Sequence, residues 1–362
     1  MVVTAIVVAG ATSAASPSAA LSLTADTRPL QRLVASRLGD GLSRPFRDTV
    51  LPRSSLQGQR FLSVDLPPGF WGGTYAASNG ENVNLAVSDY YFQDSAAAQS
   101  IAEFFAVGLI HGPELAQLAV VVIEPLPAVQ SNCGGNPNVL ACYDPNNRIM
   151  FLPGEDPGAG IPLESIVAHE YGHHIAFHRV NTPWAAVDWG TKRWASYENI
   201  CTRTLQRTAY PGDEGEHYTL NPGEAFADTY RVMNELRWGL SPSSIYWPIV
   251  DQSFFPDATA IQAVNQDVTA PWTANATTRA SGRFLKNGAR RKAFPLQTPL
   301  DGVLGVGVRS SAGRYTVSLV SSGRQVAAGR GFSLTICGGR SAALVVHRKG
   351  QPGRYSLNVS RP

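Results

Sequence analysis

Hydrophobic and polar positions follow three different patterns along the chain. Up to about residue 75 no period persists, and Pro, Arg, Ser and Gly recur, as in LPPGFWGGTY at 66–75. Between residues 84 and 153 compact apolar runs predict strands, with helical spacing between them. From about Gly302, short alternating runs separated by SSG, GRG, GGR and QPG predict a small antiparallel sandwich of five or six strands. The pattern therefore predicts an α+β chain with two folded domains.

Three strands are predicted in the first folded region, at NLAVSDYYF (84–92), LAVVVIE (118–124) and NRIMFLP (147–153). Between the first two, Asp94 is a suitable N-cap for a helix that continues through Ile110. We expect NRIMFLP to be an edge strand, along which an extended peptide could add by backbone hydrogen bonds.

Two further helices are predicted downstream. Pro162 suits the first turn of a helix over 162–180. Asn221 and Pro222 form an N-cap and first-turn pair that begins a helix ending near Trp238, where Gly239 stops it. A segment rich in tryptophan, 181–207, separates the two helices, and its Trp184, Trp189 and Trp194 could line a side-chain pocket or form local core.

The ends of the chain divide into segments of different composition. Residues 1–20 hold a short apolar run followed by small residues, which is typical of a signal peptide, although no Lys or Arg precedes the run. Residues 21–75 are expected to form a leader or propeptide-like segment, 76–275 the first folded domain and 276–362 the β domain. We therefore predict a secreted protein with no transmembrane segment.

Four cysteines support an oxidising destination. Their even number and the absence of a CxxC pair favour disulfides over a structural zinc site. Cys133 and Cys142 enclose a short, turn-rich loop that a disulfide could close, which would leave Cys201 to pair with Cys337; free buried thiols are the alternative.

Charge is unevenly distributed along the sequence. Residues 279–362 contain fifteen Lys and Arg and one acid, Asp301, whereas 1–278 contain fifteen basic and twenty-six acidic residues. The basic C-terminal domain could attach to an anionic cell-wall polymer or surface, or be a solvated face with no partner. Its charges are not interleaved with aromatic residues, so we expect no specific nucleic-acid partner.

The chemistry of the chain is concentrated in HEYGH, residues 169–173. His169 and His173 are four residues apart, so their imidazoles project from the same face of the predicted helix and can reach one ion. Zinc accepts such nitrogen ligands and keeps one position open for water in catalytic sites. Glu170 would then accept a proton from that water as the general base.

A third ligand can come from two places. Ala176 and Arg179 occupy the positions that a three-histidine site would fill with Gly and His, which excludes that version. His174 and His178 project from other sides of the helix. In NPGEAFADTY, Glu224 and Asp228 share one face of the second helix, so Glu224 can bind the metal and Asp228 can hold the distal N–H of a histidine ligand.

HEYGHH followed by HYTLNPGEAFAD resembles the gluzincins, zinc peptidases with HExxH and a glutamate on a later helix, including exported actinobacterial proteins. The resemblance covers about residues 80–240. It implies a zincin-like catalytic domain, with a mixed sheet, an active-site helix and a glutamate helix, and one catalytic Zn²⁺ on His169, His173 and Glu224. It also implies an oxyanion donor at Tyr218 or His217, with Tyr230 as a further candidate.

The sequence thus predicts a secreted zinc endopeptidase, monomeric, with a polypeptide substrate. Two alternatives stay open: a zinc amidase acting on cell-wall peptide, and a non-catalytic exported binding protein on a degenerate zincin scaffold.

Overall fold

The computed structural model describes residues 30–33, 66–158, 160–311, 314–338 and 340–362. The predicted signal peptide and most of the leader segment lie outside these residues. Within them the architecture is mixed α+β: one mixed sheet with helices packed against it, then two antiparallel sheets. No helix in these ranges is both long and apolar enough to span a bilayer.

A five-stranded sheet organises the first region, in the order β1-β2-β3-β5-β4. Strands β2, β3 and β5 are parallel, and β1 and β4 pair antiparallel at the two edges. The strands predicted over 84–92, 118–124 and 147–153 are confirmed as β2, β3 and β5. Their bounds are Phe70–Ala76 (β1), Asn82–Ser88 (β2), Val120–Glu124 (β3), Cys142–Asp144 (β4) and Ile149–Pro153 (β5).

The prediction that NRIMFLP is an edge strand is wrong. β5 pairs with β3 on one side and with β4 on the other, so most of its backbone hydrogen bonds are satisfied within the sheet. The edge is β4, a three-residue strand whose side chains are all buried. A strand that is buried on both faces has a continuous apolar sequence whether it lies inside the sheet or at its edge. The sequence of β5 therefore could not reveal the position of β5 in the sheet.

The first sheet also begins earlier than the predicted boundary at residue 76. β1 starts at Phe70, within the segment predicted as a leader, and runs through two consecutive glycines that obscure its alternation. Gly72 has a φ of 128°, and a Cβ there would approach the Leu85 carbonyl oxygen to 2.4 Å. Part of the leader packs as well: Leu30 and Leu33 are buried in the main core, and Arg32 pairs with Asp156 and Glu164.

Eight helices accompany this sheet among the described residues. The predicted helix after Asp94 is confirmed as α1, but its α-helical part ends at Glu103 and a π turn, Phe104–Gly108, completes it. Helix α1 spans Ser95–Glu103. The others are α2 (Leu126–Asn132), α3 (Leu163–Phe177), α4 (Ala186–Trp189), α5 (Lys192–Tyr197), α6 (Ile200–Leu205), α7 (Pro222–Arg237) and α8 (Ala258–Thr269). A hairpin of two short strands, β6 (Val180–Asn181) and β7 (Trp184–Ala185), precedes α4.

The C-terminal region consists of two four-stranded antiparallel sheets around a shared apolar core, in the orders β13-β10-β15-β8 and β12-β11-β14-β9. Five or six strands were predicted, and the described residues contain eight. The first two were not recognised because they are mostly exposed and polar. The bounds are Ala276–Phe284 (β8), Arg291–Thr298 (β9), Gly302–Ser310 (β10), Tyr315–Ser321 (β11), Arg324–Gly329 (β12), Gly331–Ile336 (β13), Arg340–Arg348 (β14) and Gly353–Arg361 (β15).

Covalent and polar contacts join the two regions. The predicted disulfides Cys133–Cys142 and Cys201–Cys337 are both present, and the second connects α6 to the C-terminal sheets. Lys192 donates from Nζ to the carbonyl oxygens of Thr182 and Asp301, at 2.8 and 2.9 Å. Burial lowers the pKa of Lys192 to about 8. Two disulfides are consistent with an extracellular protein.

Candidate metal centre

Helix α3 carries the HEYGH segment through the middle of the main core. It begins after Pro162, which serves as the N-cap, and runs for 15 residues. Apolar residues surround the polar ones on every side of the helix, so nearly the whole helix is buried. His169, Glu170 and His173 are therefore held away from bulk water. Polar groups buried in this way need hydrogen bonds, opposite charges or a metal ion as partners.

Helix α7 supplies the carboxylates. Asn221 caps it by accepting a hydrogen bond from the Gly223 N–H at 3.0 Å, and Pro222 occupies the first turn, as predicted. Glu224 follows in that first turn, one turn before Asp228. Both carboxylates are fully buried against α3.

The two helices approach closely at one glycine. A Cβ at Gly172 would lie 2.8 Å from the Cα and 3.1 Å from the carbonyl oxygen of Ala227. Only a residue without a side chain allows this contact, and the contact brings the α3 imidazoles within reach of the α7 carboxylates.

Gly172→Ala is accordingly expected to force α3 and α7 apart. Overpacking of this kind costs about 1–3 kcal/mol in the free energy of unfolding, and the separation of His169 from Glu224 should weaken metal binding at the same time. Chemical denaturation and metal titration measure the two effects. Gly307→Ala is the control, since a Cβ there meets nothing within 4 Å. Unchanged metal affinity in Gly172→Ala would contradict the argument.

Three ligand atoms converge between the helices. His169 Nε2 and His173 Nε2 are 3.0 Å apart, and Glu224 Oε2 lies 3.4 Å from the first and 3.6 Å from the second. Tetrahedral ligands that are each about 2.0–2.1 Å from a zinc ion stand about 3.3 Å from one another. His169, His173 and Glu224 therefore form a buried group that could hold a metal ion.

The state of Glu224 agrees with a cation at this point. Its Oε1 atom is buried and has no hydrogen-bond partner within the described ranges. Burial alone would raise the pKa of Glu224, but His173 and His169 outweigh burial and hold that pKa well below its usual range. The glutamate is fully buried, and a buried carboxylate requires compensating partners.

Asp228 positions the first histidine. Its Oδ1 atom lies 3.1 Å from His169 Nδ1, where an N–H on that nitrogen donates to the carboxylate and leaves the Nε2 lone pair directed at the centre. Burial would raise the pKa of Asp228, but the Arg231 guanidinium and His169 outweigh it and lower that pKa. Asp228 thus lies where the sequence placed it, beside a histidine of the group.

A further network behind Asp228 was not recognised from the sequence. Arg231 donates from Nε to Asp228 Oδ1 and from Nη1 to Glu235 Oε1, both at 2.6 Å, and from Nη2 to the Tyr246 carbonyl oxygen at 2.7 Å. Ser165 on α3 donates to Glu235 Oε1 at 2.5 Å. The spacing of three and four residues among Asp228, Arg231 and Glu235 is the signal that could have revealed it.

The three predicted oxyanion donors differ in their contacts. The Tyr218 hydroxyl, in a short 3₁₀ turn before α7, is buried and donates to Glu224 Oε2 at 3.1 Å. His217 is only partly buried, with Nδ1 2.8 Å from Asp213 Oδ2 and its ring stacked on Tyr210. Tyr230 donates to the Ile110 carbonyl oxygen at 2.6 Å and belongs to the core. Of the three, Tyr218 is the one in contact with a predicted ligand.

The neighbouring histidines and tryptophans have structural contacts. His174 is fully buried, between the Tyr143 hydroxyl and the Glu114 carbonyl oxygen, each at 2.8 Å, and burial lowers its pKa to about 3. It is a core residue. Trp194 packs edge-on against Phe226 in the core, while Trp184 and Trp189 stack on each other with ring centroids 4.6 Å apart.

Comparison with known proteins adds little to this geometry. No protein-family model matches the chain, and no curated protein matches it. Among solved structures, a mitogen derived from Yersinia pseudotuberculosis is similar at 12% identity and a TM-score of 0.21, over 24% of this chain and 87% of that chain. PliG from Aeromonas hydrophila, a periplasmic inhibitor of g-type lysozyme, is similar at 12% identity and a TM-score of 0.19, over 24% of this chain and 85% of that chain. At these TM-scores neither neighbour bears on the fold or the function of this chain.

Proposed function

We propose that the chain is a secreted zinc-dependent endopeptidase of the gluzincin type, with His169, His173 and Glu224 as the metal ligands. The observation that carries the proposal is the triangle of two imidazole nitrogens and one carboxylate oxygen, with sides of 3.0, 3.4 and 3.6 Å, in the core. Two nitrogens and one oxygen on two helices are the donor set of hydrolytic zinc sites, in which a fourth position is left for water.

His169, His173 and Glu224 would hold the zinc, which when bound would supply Lewis-acid chemistry and make water a stronger acid. Glu170 follows the first ligand on α3 and is buried beside it. Its carboxylate accepts the proton of the attacking water and then delivers it to the amine that leaves, so the protein returns to its starting protonation state. Asp228 keeps His169 in the tautomer that binds the metal.

Tyr218 is the proposed donor that stabilises the oxyanion. Its hydroxyl donates to Glu224 Oε2 at 3.1 Å. When it turns from that oxygen to the substrate, the same O–H can donate to the oxyanion that forms when water adds to the peptide carbonyl. Preorganised donors of this kind act most strongly in a buried site.

Tyr218→Phe tests that role. We expect kcat to fall about 10²-fold, the usual cost of one oxyanion donor, while zinc affinity and KM change little. Tyr230→Phe is the matched control, because its hydroxyl bonds a core carbonyl and its loss should leave kcat unchanged. A fall in zinc affinity that accounts for the whole loss of activity would instead make Tyr218 a support for Glu224.

Metal content and proteolysis test the function as a whole. Purified full-length protein is expected to contain one zinc per chain, to cleave casein, to lose cleavage when a chelator removes the metal, and to regain it on addition of zinc. Metal-free protein should also unfold at a lower temperature, because an ion that binds only the folded state stabilises it. Zinc binding with no hydrolysis of casein would favour the non-catalytic alternative, and no stoichiometric metal would overturn the assignment.

A further inference from the structure

A groove of four arginines lies on the outer face of the sheet β13-β10-β15-β8. Its volume is about 740 Å³, and its arginines are Arg279 and Arg283 on β8, Arg309 on β10 and Arg354 on β15. All four are exposed. It is far in sequence from the metal centre, and the proposed hydrolysis does not use it.

Strand register places the four side chains on one face. Arg354 is directly opposite Arg283, and Ser356 is directly opposite both Ser281 and Arg309. Because successive residues of a strand point to opposite faces, these residues share the solvent face, whereas Tyr355 and Leu357 point into the core. The arginines therefore alternate with serines across three adjacent strands.

Neither folding nor local neutralisation accounts for this arrangement. Like charges directly opposite each other on neighbouring strands destabilise a sheet, as Arg283 and Arg354 must. The single acid of residues 279–362, Asp301, is buried and accepts from the Gly338 N–H. Within the described ranges no ion pair involves any of the four arginines. An external anion is what such a face can accommodate.

The residues between the arginines indicate the class of partner. Bases of single-stranded nucleic acid stack on aromatic side chains, and insertion into the bilayer interface requires exposed apolar side chains. The groove offers neither: apart from the buried Tyr355, its lining consists of arginine, serine and glycine. Guanidinium groups bind sulfate, phosphate and carboxylate in two-point contacts, and serine hydroxyls bond sugar hydroxyls.

We propose that this arginine groove binds an anionic polysaccharide and so holds the protein at a polyanionic surface. The sandwich would then act as an attachment domain, and the metal centre would act on polypeptides near that surface. The binding does not depend on the proposed peptidase activity.

The test uses the full chain and heparin as a sulfated polysaccharide probe. The groove variant replaces Arg279, Arg283, Arg309 and Arg354 with Gln, and the matched control replaces four exposed arginines elsewhere in the same domain, Arg290, Arg291, Arg324 and Arg330. Both remove the same charge. At 150 mM salt we expect the groove variant to bind heparin at least tenfold more weakly and the control to remain within twofold of the parent. In the groove variant, the slope of a plot of log affinity against log salt concentration should also become shallower, by up to about four.

Three results would overturn the proposal: heparin binding retained by the groove variant, equal losses in the two variants, or tighter binding of duplex DNA or phosphatidylserine vesicles than of heparin. A smaller variant, Arg283→Gln with Arg354→Gln, guards against misfolding. Since it removes the repulsion between opposed arginines, it should be at least as stable as the parent and still lose heparin affinity.

Discussion

In the proposed zinc peptidase, Glu170→Gln is expected to keep the zinc and to lose peptidase activity by roughly 10²- to 10⁴-fold, the contribution usual for a general acid and base. Glutamine has the same shape and leaves His169, His173 and Glu224 untouched, but it cannot accept the proton of the attacking water. Since the side chain is buried in α3, its replacement by a neutral group of equal size should not destabilise the fold. Metal analysis together with initial rates of casein cleavage measures both quantities.

Glu198→Gln is the control for that variant. Glu198 is a partly buried glutamate at the end of α5, remote in its contacts from the ligands, and burial raises its pKa to about 7. Its variant should retain full activity. Activity retained by Glu170→Gln would remove Glu170 as the base, and loss of zinc from Glu170→Gln would show that its carboxylate supports the metal instead.

Arg231→Met is expected to lower the free energy of unfolding by about 3–5 kcal/mol, the usual cost of leaving buried charges without their partner. Arg231 is the counter-charge of both Asp228 and Glu235, at 2.6 Å from each, and none of the three is accessible to water. Because Asp228 orients His169, zinc affinity should fall as well, by about 10- to 100-fold as for other residues that hold a metal ligand. Denaturant unfolding of the metal-free protein and competitive zinc titration separate the two effects.

Arg179→Met provides the matched comparison. Arg179 pairs with Glu114 at 2.7 Å in an equally buried setting, but in the described contacts Glu114 touches none of the three proposed ligands. Its loss should cost a similar free energy of unfolding and leave zinc affinity unchanged. Equal effects on zinc affinity from Arg179→Met and Arg231→Met would show that the Arg231 effect is one of general stability. A triple variant, Arg231→Met with Asp228→Asn and Glu235→Gln, should recover stability but not zinc affinity.

Much of the secondary structure around the centre could be predicted from local sequence. Asp94 and Asn221 cap the helices that they were expected to cap, and the apolar runs at 118–124 and 147–153 are strands. These features depend on interactions within a few residues, which a sequence displays directly. The two glycines in β1 and the polar, exposed β8 carry no such signal, and both strands were missed.

The sequence by itself determined which residues are candidate ligands and which helical faces they share, because positions four apart on a helix lie on one side whatever surrounds them. Only the tertiary structure decided that those faces meet: the contact at Gly172 and Ala227 sets the distance between α3 and α7, and the sequence separation of His173 and Glu224 contains no information about it. The same holds for Arg231 behind Asp228, for the place of β5 inside the sheet and for the arginines gathered on one face of the sandwich. Each depends on residues brought together from distant parts of the chain, where packing and strand register decide what local pattern cannot.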